Sequence, residues 1–369
     1  MNVKRCISFG LIGLAYSCAV SAQGSVTLYG TIDTGISYSN NQLGHASYQM
    51  VSGVPVGSNW GLKGKEDLGN GLSAVFDLEN GFNGANGASY ENGMFARQAR
   101  MGLSSDKYGT VTFGRQYDTN VDFVSPYTSN GAWAGWYFSH PNDVDNTDNG
   151  FRINNSVKYV SAPIGGLTFG GLYSFGGVPG QFSKHSVWSA GAKYDTGTFS
   201  FGAGYLSVDS PATAVDGYVN GAGYTNTVYG KYLAAASRQN IWGAGGSYTI
   251  GSASILFSFT DTTFVNGQSG RNVSFRNAEA ALGYHLTPAL FLAGSYTYTF
   301  GQVNATDESP KYHQINLMTD YHLSKRTDVY AMAVFQKAAG SAGVAQITGF
   351  NASSTDRQLA LRVGLKHTF

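Results

Sequence analysis

Short segments in which apolar and polar residues alternate make up most of the chain, and this alternation limits the fold more than any other feature. In the last segment, 357–369, Leu361 and Leu365 fall on one face of an extended strand, and Arg362 and Lys366 fall on the other. A pairing shift of one residue would move both cations to the apolar face, so the register is strongly specified. No apolar run of about 18 residues follows the N-terminal segment, which argues against a membrane-spanning helix. The pattern predicts a transmembrane β-barrel, whose lipid-facing apolar residues are interleaved with polar lumenal ones.

The composition supports a barrel and excludes one class of function. Charged residues make up 12% of the chain, whereas about 25% is usual for soluble proteins. The aromatic content is 14%, and the formal net charge is only +1. A nucleic-acid-binding protein needs a strongly basic surface, so no nucleic-acid partner is expected.

The first 22 residues have the pattern of a secretory signal peptide. A positively charged start precedes an apolar run from Ile7 to Val20, and a small-residue cleavage site ends at Ala22. A lipoprotein anchored through Cys18 is the less favoured alternative. Both cysteines of the chain lie in this segment, so the exported protein holds itself together without disulfides.

Residues 23–369 are expected to form one all-β domain, a 16-stranded antiparallel barrel. Short turns alternate with long loops, as in outer-membrane barrels with periplasmic turns and external loops. Residues 40–57 are expected to be a polar loop. The predicted strands are approximately 25–39, 58–66, 72–80, 95–104, 110–117, 154–161, 167–175, 187–194, 198–208, 239–250, 252–260, 276–286, 289–300, 312–323, 328–336 and 357–369.

The stretch 118–149 breaks the alternation and is the candidate functional element. It contains five Asp residues and no Lys or Arg. Its aromatic content argues against disorder, and connections of this length are often functional. We expect it to fold into the barrel and to face basic side chains across a pore constriction; the alternative is that its acids are ordinary solvated loop charges. The predicted constriction consists of Lys63, Arg97, Arg115, Arg152 and Lys158 on the basic side and Asp118, Asp122, Asp143, Asp145 and Asp148 on the acidic side.

The aromatic residues of this stretch allow two interpretations. Trp133, Trp136, Tyr137 and Phe138 can anchor the loop to the barrel wall or stack against sugar rings, and anchoring is favoured. The segment from Asp143 resembles a calcium loop but lacks the required glycine and terminal glutamate. No zinc-protease or phosphate-loop motif occurs either, so neither a metal nor a cofactor is expected.

Several motifs together resemble the Gram-negative general diffusion porins. They are residues 26–30 (VTLYG), 60–69 (WGLKGKEDLG), 97–103 (RQARMGL), 113–116 (FGRQ), 155–159 (NSVKY) and 364–369 (GLKHTF). The resemblance implies a homotrimer of 16-stranded barrels, each with its third external loop folded into the pore. It also implies that Arg97, Arg115 and Arg152 belong to the basic side of the constriction, and that Phe369 is read by the barrel-assembly machinery. His367 and Arg100 depart from the family pattern, which leaves open whether Arg97 or Arg100 faces the pore.

Together these features predict a passive channel for small hydrophilic solutes and ions in contact with the lipid of a Gram-negative outer membrane. Two charges 10 Å apart in water interact by only about 0.4 kcal/mol, so weak charge selectivity is expected. A solute-specific channel is the main alternative, and a barrel adhesin or hydrolase is less favoured. The sequence favours neither cations nor anions, because the loop is acidic and the proposed facing wall is basic.

Overall fold

A computed structural model describes residues 24–90, 93–213 and 226–369, and nearly all its strands pair with their neighbours in one antiparallel sheet. The predicted signal peptide lies outside these residues. The strand segments are β1 (Ser25–Gln42), β2 (His45–Ser52), β3 (Asn59–Gly69), β4 (Leu72–Gly81), β5 (Gln98–Ser105), β6 (Gly109–Gln116), β7 (Ile153–Val160), β8 (Leu167–Ser174), β9 (Val187–Asp195), β10 (Phe199–Asp209), β11 (Arg238–Ile250), β12 (Ala253–Gln268), β13 (Arg271–Thr287), β14 (Leu290–Val303), β15 (Pro310–His322), β16 (Thr327–Gly340) and β17 (Arg357–Thr368).

The 17 segments form 16 barrel positions, because β2 and β3 share one position. One edge of β1 pairs with β17 and closes the barrel. The other edge pairs with β3 over its first half and with β2 over its second half. The expectation that 40–57 is a loop was wrong over the extent of β2. Leu43 and Gly44, both with positive φ, form a two-residue hairpin turn there.

The two faces of the strands separate as the sequence predicts. On β17, Leu361, Val363 and Leu365 are exposed on the outer surface, whereas Gln358 and Arg362 are buried on the lumenal side. Closure gives each of the 16 barrel positions two neighbours, although among the described residues β2 itself pairs only with β1. A barrel in hydrocarbon requires such pairing because unpaired backbone groups there cost several kcal/mol each. The predicted 16-stranded antiparallel barrel is confirmed.

The two ends of the barrel differ in their connections. Short turns join β3 to β4, β9 to β10 and β11 to β12, and β1 begins and β17 ends at this end. At the opposite end the strands were predicted too short: β12 and β13 continue to a tight turn at Ser269 and Gly270. No helix in the part of the chain that the structure describes has the length and apolar character needed to cross a membrane.

Two connections at the long-loop end fold inward. The first, residues 117–152, begins with the short helix α1 (Thr119–Phe123) and continues through short 3-10 and π turns. We call residues 117–152 the inner loop. The second contains α2 (Gly230–Leu233), which packs Tyr232 and Leu233 into an apolar cluster with Phe264 and Phe275. Both connections therefore narrow the barrel from the same end.

Candidate pore constriction

Asp118 joins the two ends of the inner loop. Its carboxylate caps α1 by accepting a hydrogen bond from the Asn120 amide at 2.7 Å. The other carboxylate oxygen accepts from Asn146 Nδ2 at 2.7 Å. Complete burial raises the pKa of Asp118 to about 6, although these hydrogen bonds oppose the shift. Asp118 therefore holds the loop together and does not contact water in the bore.

Inward-facing glycines on β8 to β11 make room for the inner loop. A Cβ atom at Gly202 would lie 2.1 Å from the carbonyl oxygen of Phe123, and one at Gly191 would lie 2.7 Å from the Phe123 ring. A Cβ at Gly204 would lie 2.4 Å from Asn120 Oδ1. Such distances exclude any larger residue unless the loop moves. The glycines thus allow the helix α1 to lie directly on the wall.

The loop continues along the wall through hydrogen bonds to β12 and β13. Glu279 accepts from the Ser129 amide at 2.6 Å and from Ser129 Oγ at 2.8 Å. The carboxylate of Asp145 accepts from Thr260 and, at 3.1 Å, from Asn277 Nδ2. These acids are buried and their acceptor oxygens are used by neighbouring donors, so they bind the loop to the wall.

His140 lies between the loop and the wall with a carboxylate on each side. Its Nδ1 atom is 2.6 Å from Asp145 and its Nε2 atom is 3.7 Å from Glu279. Burial lowers the pKa of His140, but Asp145, Glu279 and Asp143 together outweigh that effect and raise it to about 9. For the acid Asp145, burial raises the pKa, but the charge and hydrogen bond of His140 outweigh burial and hold the pKa below its usual value. The imidazole is therefore a buried cation near neutral pH.

The tip of the loop reaches β1 and β14 through its aromatic residues. Trp133 packs edge-on against Phe291, and Tyr137 donates from its hydroxyl to Ser37 at 2.9 Å. Phe138 is fully buried. The anchoring interpretation is confirmed for these three residues, whereas Trp136 remains 40% exposed.

A buried ion pair supports the wall beneath the tip. Arg362 donates from Nη2 to Asp33 at 3.1 Å and from Nη1 to Ser37 at 3.1 Å, and neither charged side chain of the ion pair is exposed. Tyr330 donates to the second oxygen of Asp33 and accepts from Arg362 Nε. Arg362 thus donates to the same Ser37 hydroxyl that accepts from Tyr137, and it connects this contact to the ion pair with Asp33.

The wall from β3 to β7 carries charged side chains toward the lumen. Arg97 forms an ion pair with Glu79, and Arg100 donates to Asp77 at 3.3 Å. Tyr29 donates to both acids, at 2.7 and 2.9 Å. Both arginines therefore have partners on the lumenal face, so the question of whether Arg97 or Arg100 faces the pore does not have a single answer.

Sequence reasoning missed Asp77 and Glu79. Their signal was present, because they alternate with the outward-facing apolar residues Phe76 and Leu78 on β4. Lys63 pairs in register with Asp77 and lies over the Tyr29 ring, 5.0 Å from its centroid. The basic wall that the sequence predicts is therefore a mixed wall of cations and anions.

Arg115 does not lie where the sequence predicts. It pairs in register with Ala99, on the face of β6 that also carries the exposed Phe113. Its hydrogen bonds reach the Ala96 carbonyl at 2.5 Å and Asn154 Oδ1 at 2.6 Å. The expectation that Arg115 lines the pore was wrong. A bulge follows Gly114, and the alternation places Gln116 inward instead.

The remaining predicted residues meet near the root of the loop. Lys158 forms an ion pair with Asp122 and donates to the Tyr117 carbonyl at 2.9 Å. The guanidinium of Arg152 lies over the Tyr117 ring, 5.8 Å from its centroid. Asp122 remains partly exposed, so it lies at the surface between the loop and the β3–β7 wall.

Asp148 and Asp143 occupy the second half of the loop. Burial raises the pKa of Asp148 to about 7, while Arg152 and Arg97 oppose that shift. The Asp143 carboxylate accepts from the amides of Asp148 and Gly150, each at 2.8 Å. Asp143, like Asp118 and Asp145, is buried. These three acids stabilise the loop, whereas the Asp122 side chain is partly exposed and Asp148 is intermediate in burial as a residue.

Comparison with known proteins identifies the family. The model of the Gram-negative porins matches residues 10–341. Outer membrane porin protein 32 of Delftia acidovorans is 30% identical, with 96% of this chain and 97% of the relative covered. An outer membrane porin protein of Bordetella pertussis is 28% identical with full coverage of both chains.

Solved structures agree with this assignment. The anion-selective porin from Comamonas acidovorans superposes with a TM-score of 0.75 at 25% identity, covering 94% of this chain and 100% of that one. OmpT of Vibrio cholerae, solved in a trimer form, gives a TM-score of 0.70 at 17% identity, covering 94% and 99%, which shows the shared fold.

A closed barrel with a lumenal loop and a polar interior defines a membrane channel protein. The chain belongs to the Gram-negative porin family. It is an outer-membrane porin, a passive channel for small hydrophilic solutes and ions.

Proposed function

We propose that solutes pass between the inner loop and the lumenal face of β3 to β7, where charged residues from both sides form the constriction. The residues proposed to line it are Lys63, Arg97, Arg100, Arg152, Lys158, Asp77, Glu79, Asp122 and Asp148. One observation carries this proposal: the loop packs on β8 to β13 and reaches β1, whereas Lys63 and its neighbours on the opposite wall are left uncovered.

We propose that the selectivity is weak and favours anions. The arginines and Lys158 have partners, as in the pairs Arg97–Glu79 and Lys158–Asp122. Lys63 and Lys65 are exposed on the lumenal side of β3 and form no ion pair among the residues that the structure describes. Unpaired charges of one sign raise the local concentration of ions of the other sign. The similarity to a porin described as anion-selective supports this direction.

The reversal potential in a potassium chloride gradient tests the route and the selectivity together. Lys63→Met is expected to shift the reversal potential toward cations, and Asp122→Asn toward anions. Arg115→Met removes the same charge as Lys63→Met from the outer face, so it is the matched control and should leave the potential unchanged. Equal shifts for Lys63→Met and Arg115→Met would overturn the proposed route. Saturable block of the conductance by one sugar or acid would instead favour a solute-specific channel.

We propose a homotrimer embedded in outer-membrane lipid and inserted by the barrel-assembly machinery. The trimer form recorded for the Vibrio cholerae relative supports the first point. Conductance steps in groups of three are expected in planar bilayers, and single independent steps would contradict a trimer. The backbone of Phe369 exchanges hydrogen bonds with Gly30 at 3.0 and 3.2 Å, so deletion of Phe369 should reduce insertion of the barrel in cells.

We propose that the protein catalyses no reaction and that the chain is cleaved after Ala22. Membership of a porin family supports the first proposal. Hydrolysis of lipid or peptide by the purified trimer, lost on substitution of a specific side chain, would overturn it. Mass spectrometry of protein from outer membranes is expected to find Gln23 at the N-terminus.

A further inference from the structure

Three side chains with metal-ligand chemistry meet on the lumenal face of the β15–β16 hairpin. Asp320 and His322 are two residues apart on β15 and therefore share a face. Asp328, on β16, pairs directly with His322. One ligand atom from each residue lies within 4.8 Å of the other two. The hairpin register thus brings together two carboxylates and an imidazole that all lie on strands.

One of these carboxylates lacks a partner for one of its oxygens. Asp320 is only 6% exposed, and its buried Oδ1 atom accepts no hydrogen bond from any residue that the structure describes. Leaving a buried acceptor unsatisfied is costly, and more so for a charged group. A bound cation would satisfy this buried carboxylate oxygen.

The other groups of the cluster are already oriented. His322 Nδ1 lies 2.6 Å from Asp328 Oδ1, so these two groups already face each other. Lys366 Nζ, on the neighbouring strand β17, lies 2.8 Å from Asp328 Oδ2 and 3.8 Å from Asp320 Oδ2. The Lys366 ammonium therefore lies where a metal cation bound by the two carboxylates would lie.

We propose that Asp320, His322 and Asp328 form a lumenal binding site for a divalent transition metal ion such as Zn²⁺. Zinc binds imidazole nitrogen and carboxylate oxygen at about 2.0–2.2 Å, and three protein ligands with water in the fourth position make an open site. Imidazole disfavours Mg²⁺ and Ca²⁺, which prefer oxygen ligands. Lys366 competes for the same carboxylates and moves away when the metal binds.

A bound ion would change the short-turn mouth of the pore, since this hairpin end is where β15 and β16 are joined by a short connection. The added positive charge would increase the preference for anions without any movement of the inner loop. The site lies on different strands from the proposed constriction, so its test does not depend on that proposal.

The experiment titrates Zn²⁺ alone into the detergent-solubilised porin by calorimetry, and Co²⁺ by visible absorption, which reports its coordination. His322→Gln and Asp320→Asn are each expected to weaken binding by about tenfold or more. His45→Gln, at the exposed start of β2, is the matched histidine control and should bind as the wild type does. The absence of stoichiometric binding by the wild-type porin, or equal weakening by His45→Gln, would overturn the site.

Lys366→Met separates a metal site from a structural ion-pair network. A competing ammonium predicts that its removal tightens Zn²⁺ binding, whereas a purely structural cluster predicts no binding in either protein. Unchanged or weaker binding by Lys366→Met would contradict the competition. Single-channel conductance of each variant shows that the barrel has folded, so loss of binding is distinguished from loss of structure.

Discussion

The lumenal surface has two contrasting halves. The covered wall, from β8 through β17 to β1, supports the inner loop or the network beneath its tip, and the open wall, from β3 to β7, faces the bore. Both follow the same inward–outward alternation. Where the inner loop lies on the covered wall, the inward residues are glycines such as Gly202 or hydrogen-bonding groups such as Asn277. On the open wall they are charged residues such as Lys63 and Asp77.

The difference shows that alternation alone does not assign a role to a polar lumenal residue. An inward acid on the covered wall, such as Glu279, is buried and satisfied by donors from the loop. An inward acid on the open wall, such as Asp77, is balanced by a cation and keeps part of its side chain exposed. Substitutions beneath the inner loop should therefore change stability and loop position, and substitutions on the open wall should change ion selectivity.

The largest effect is expected from Arg362→Met on the covered wall. The change leaves the buried Asp33 without its cation, and breaking a buried pair costs about 3–5 kcal/mol. The free energy of unfolding in denaturant measures this loss, and the double variant Asp33→Asn with Arg362→Met should recover part of it. Arg357→Met, at an exposed ion pair with Asp356, is the control and should cost less than about 1 kcal/mol. Similar losses for both arginines would contradict the buried role of Arg362.

The next effect is expected from Gly202→Val. The new Cβ would lie 2.1 Å from the Phe123 carbonyl oxygen, so α1 must move away from the wall. Overpacking of this kind costs about 1–3 kcal/mol. Single-channel conductance should change along with the unfolding free energy, because the loop moves relative to the open wall. Ala203→Val adds similar volume at the adjacent outward position, and an equal conductance change there would argue against the glycine contact.

A pH effect is expected from His140, which holds the loop to the covered wall. Its pKa in the folded protein is about 9, above the ordinary 6.5, because the neighbouring Asp145, Glu279 and Asp143 outweigh burial. Protonation therefore stabilises the fold fully below about pH 6.5, and this contribution is lost as the pH rises through about 9. Unfolding free energies measured across this range should fall in the wild type.

His140→Gln is expected to be less stable near neutral pH and to lack this part of the alkaline loss. His313→Gln changes an outward histidine that contacts Tyr296 and serves as the control. If the wild type and His140→Gln lost the same stability between neutral pH and pH 9, a different group would be responsible.

The smallest effect on stability is expected from Asp77→Asn on the open wall. The substitution frees Arg100 from its acidic partner, and partly exposed pairs contribute only about 0–1 kcal/mol. The reversal potential should nevertheless shift toward anions. Asp145→Asn removes the same charge from the covered wall and should instead lower the free energy of unfolding. A larger selectivity shift for Asp145→Asn than for Asp77→Asn would remove the distinction between the walls.

The sequence predicts the barrel well because alternation is a local property that each strand carries independently. It fails where backbone geometry changes between neighbours. The turn at Leu43 and Gly44 creates β2 inside a predicted loop, and it depends on the backbone conformation of two residues, which periodicity does not reveal. Arg115 is a different case, because it shares its face with the exposed Phe113 and the alternation itself already places it outward.

The inner loop was recognised as a unit, but the roles of its acids were not. Asp145 is buried because Thr260 and Asn277, more than a hundred residues away, supply donors to it. Asp122 is partly exposed because it lies beside Lys158 at the loop root. The local sequence around the two residues does not distinguish these environments. Only the folded chain shows which carboxylates face donors and which face the bore.

The break between β2 and β3 has a consequence for how this porin tolerates change. Where the strand is interrupted, the Val54 carbonyl accepts from the Trp136 amide at 3.0 Å, and the Val54 amide donates to Asp33 at 2.6 Å. Main-chain atoms of Val54 thus connect the tip of the loop to β1. These main-chain bonds add to the aromatic contacts of the tip, and they leave no room for a side chain at Gly135, where a Cβ atom would lie 2.1 Å from the Val54 carbonyl oxygen. A single deletion within 53–58 would displace Val54 and break them.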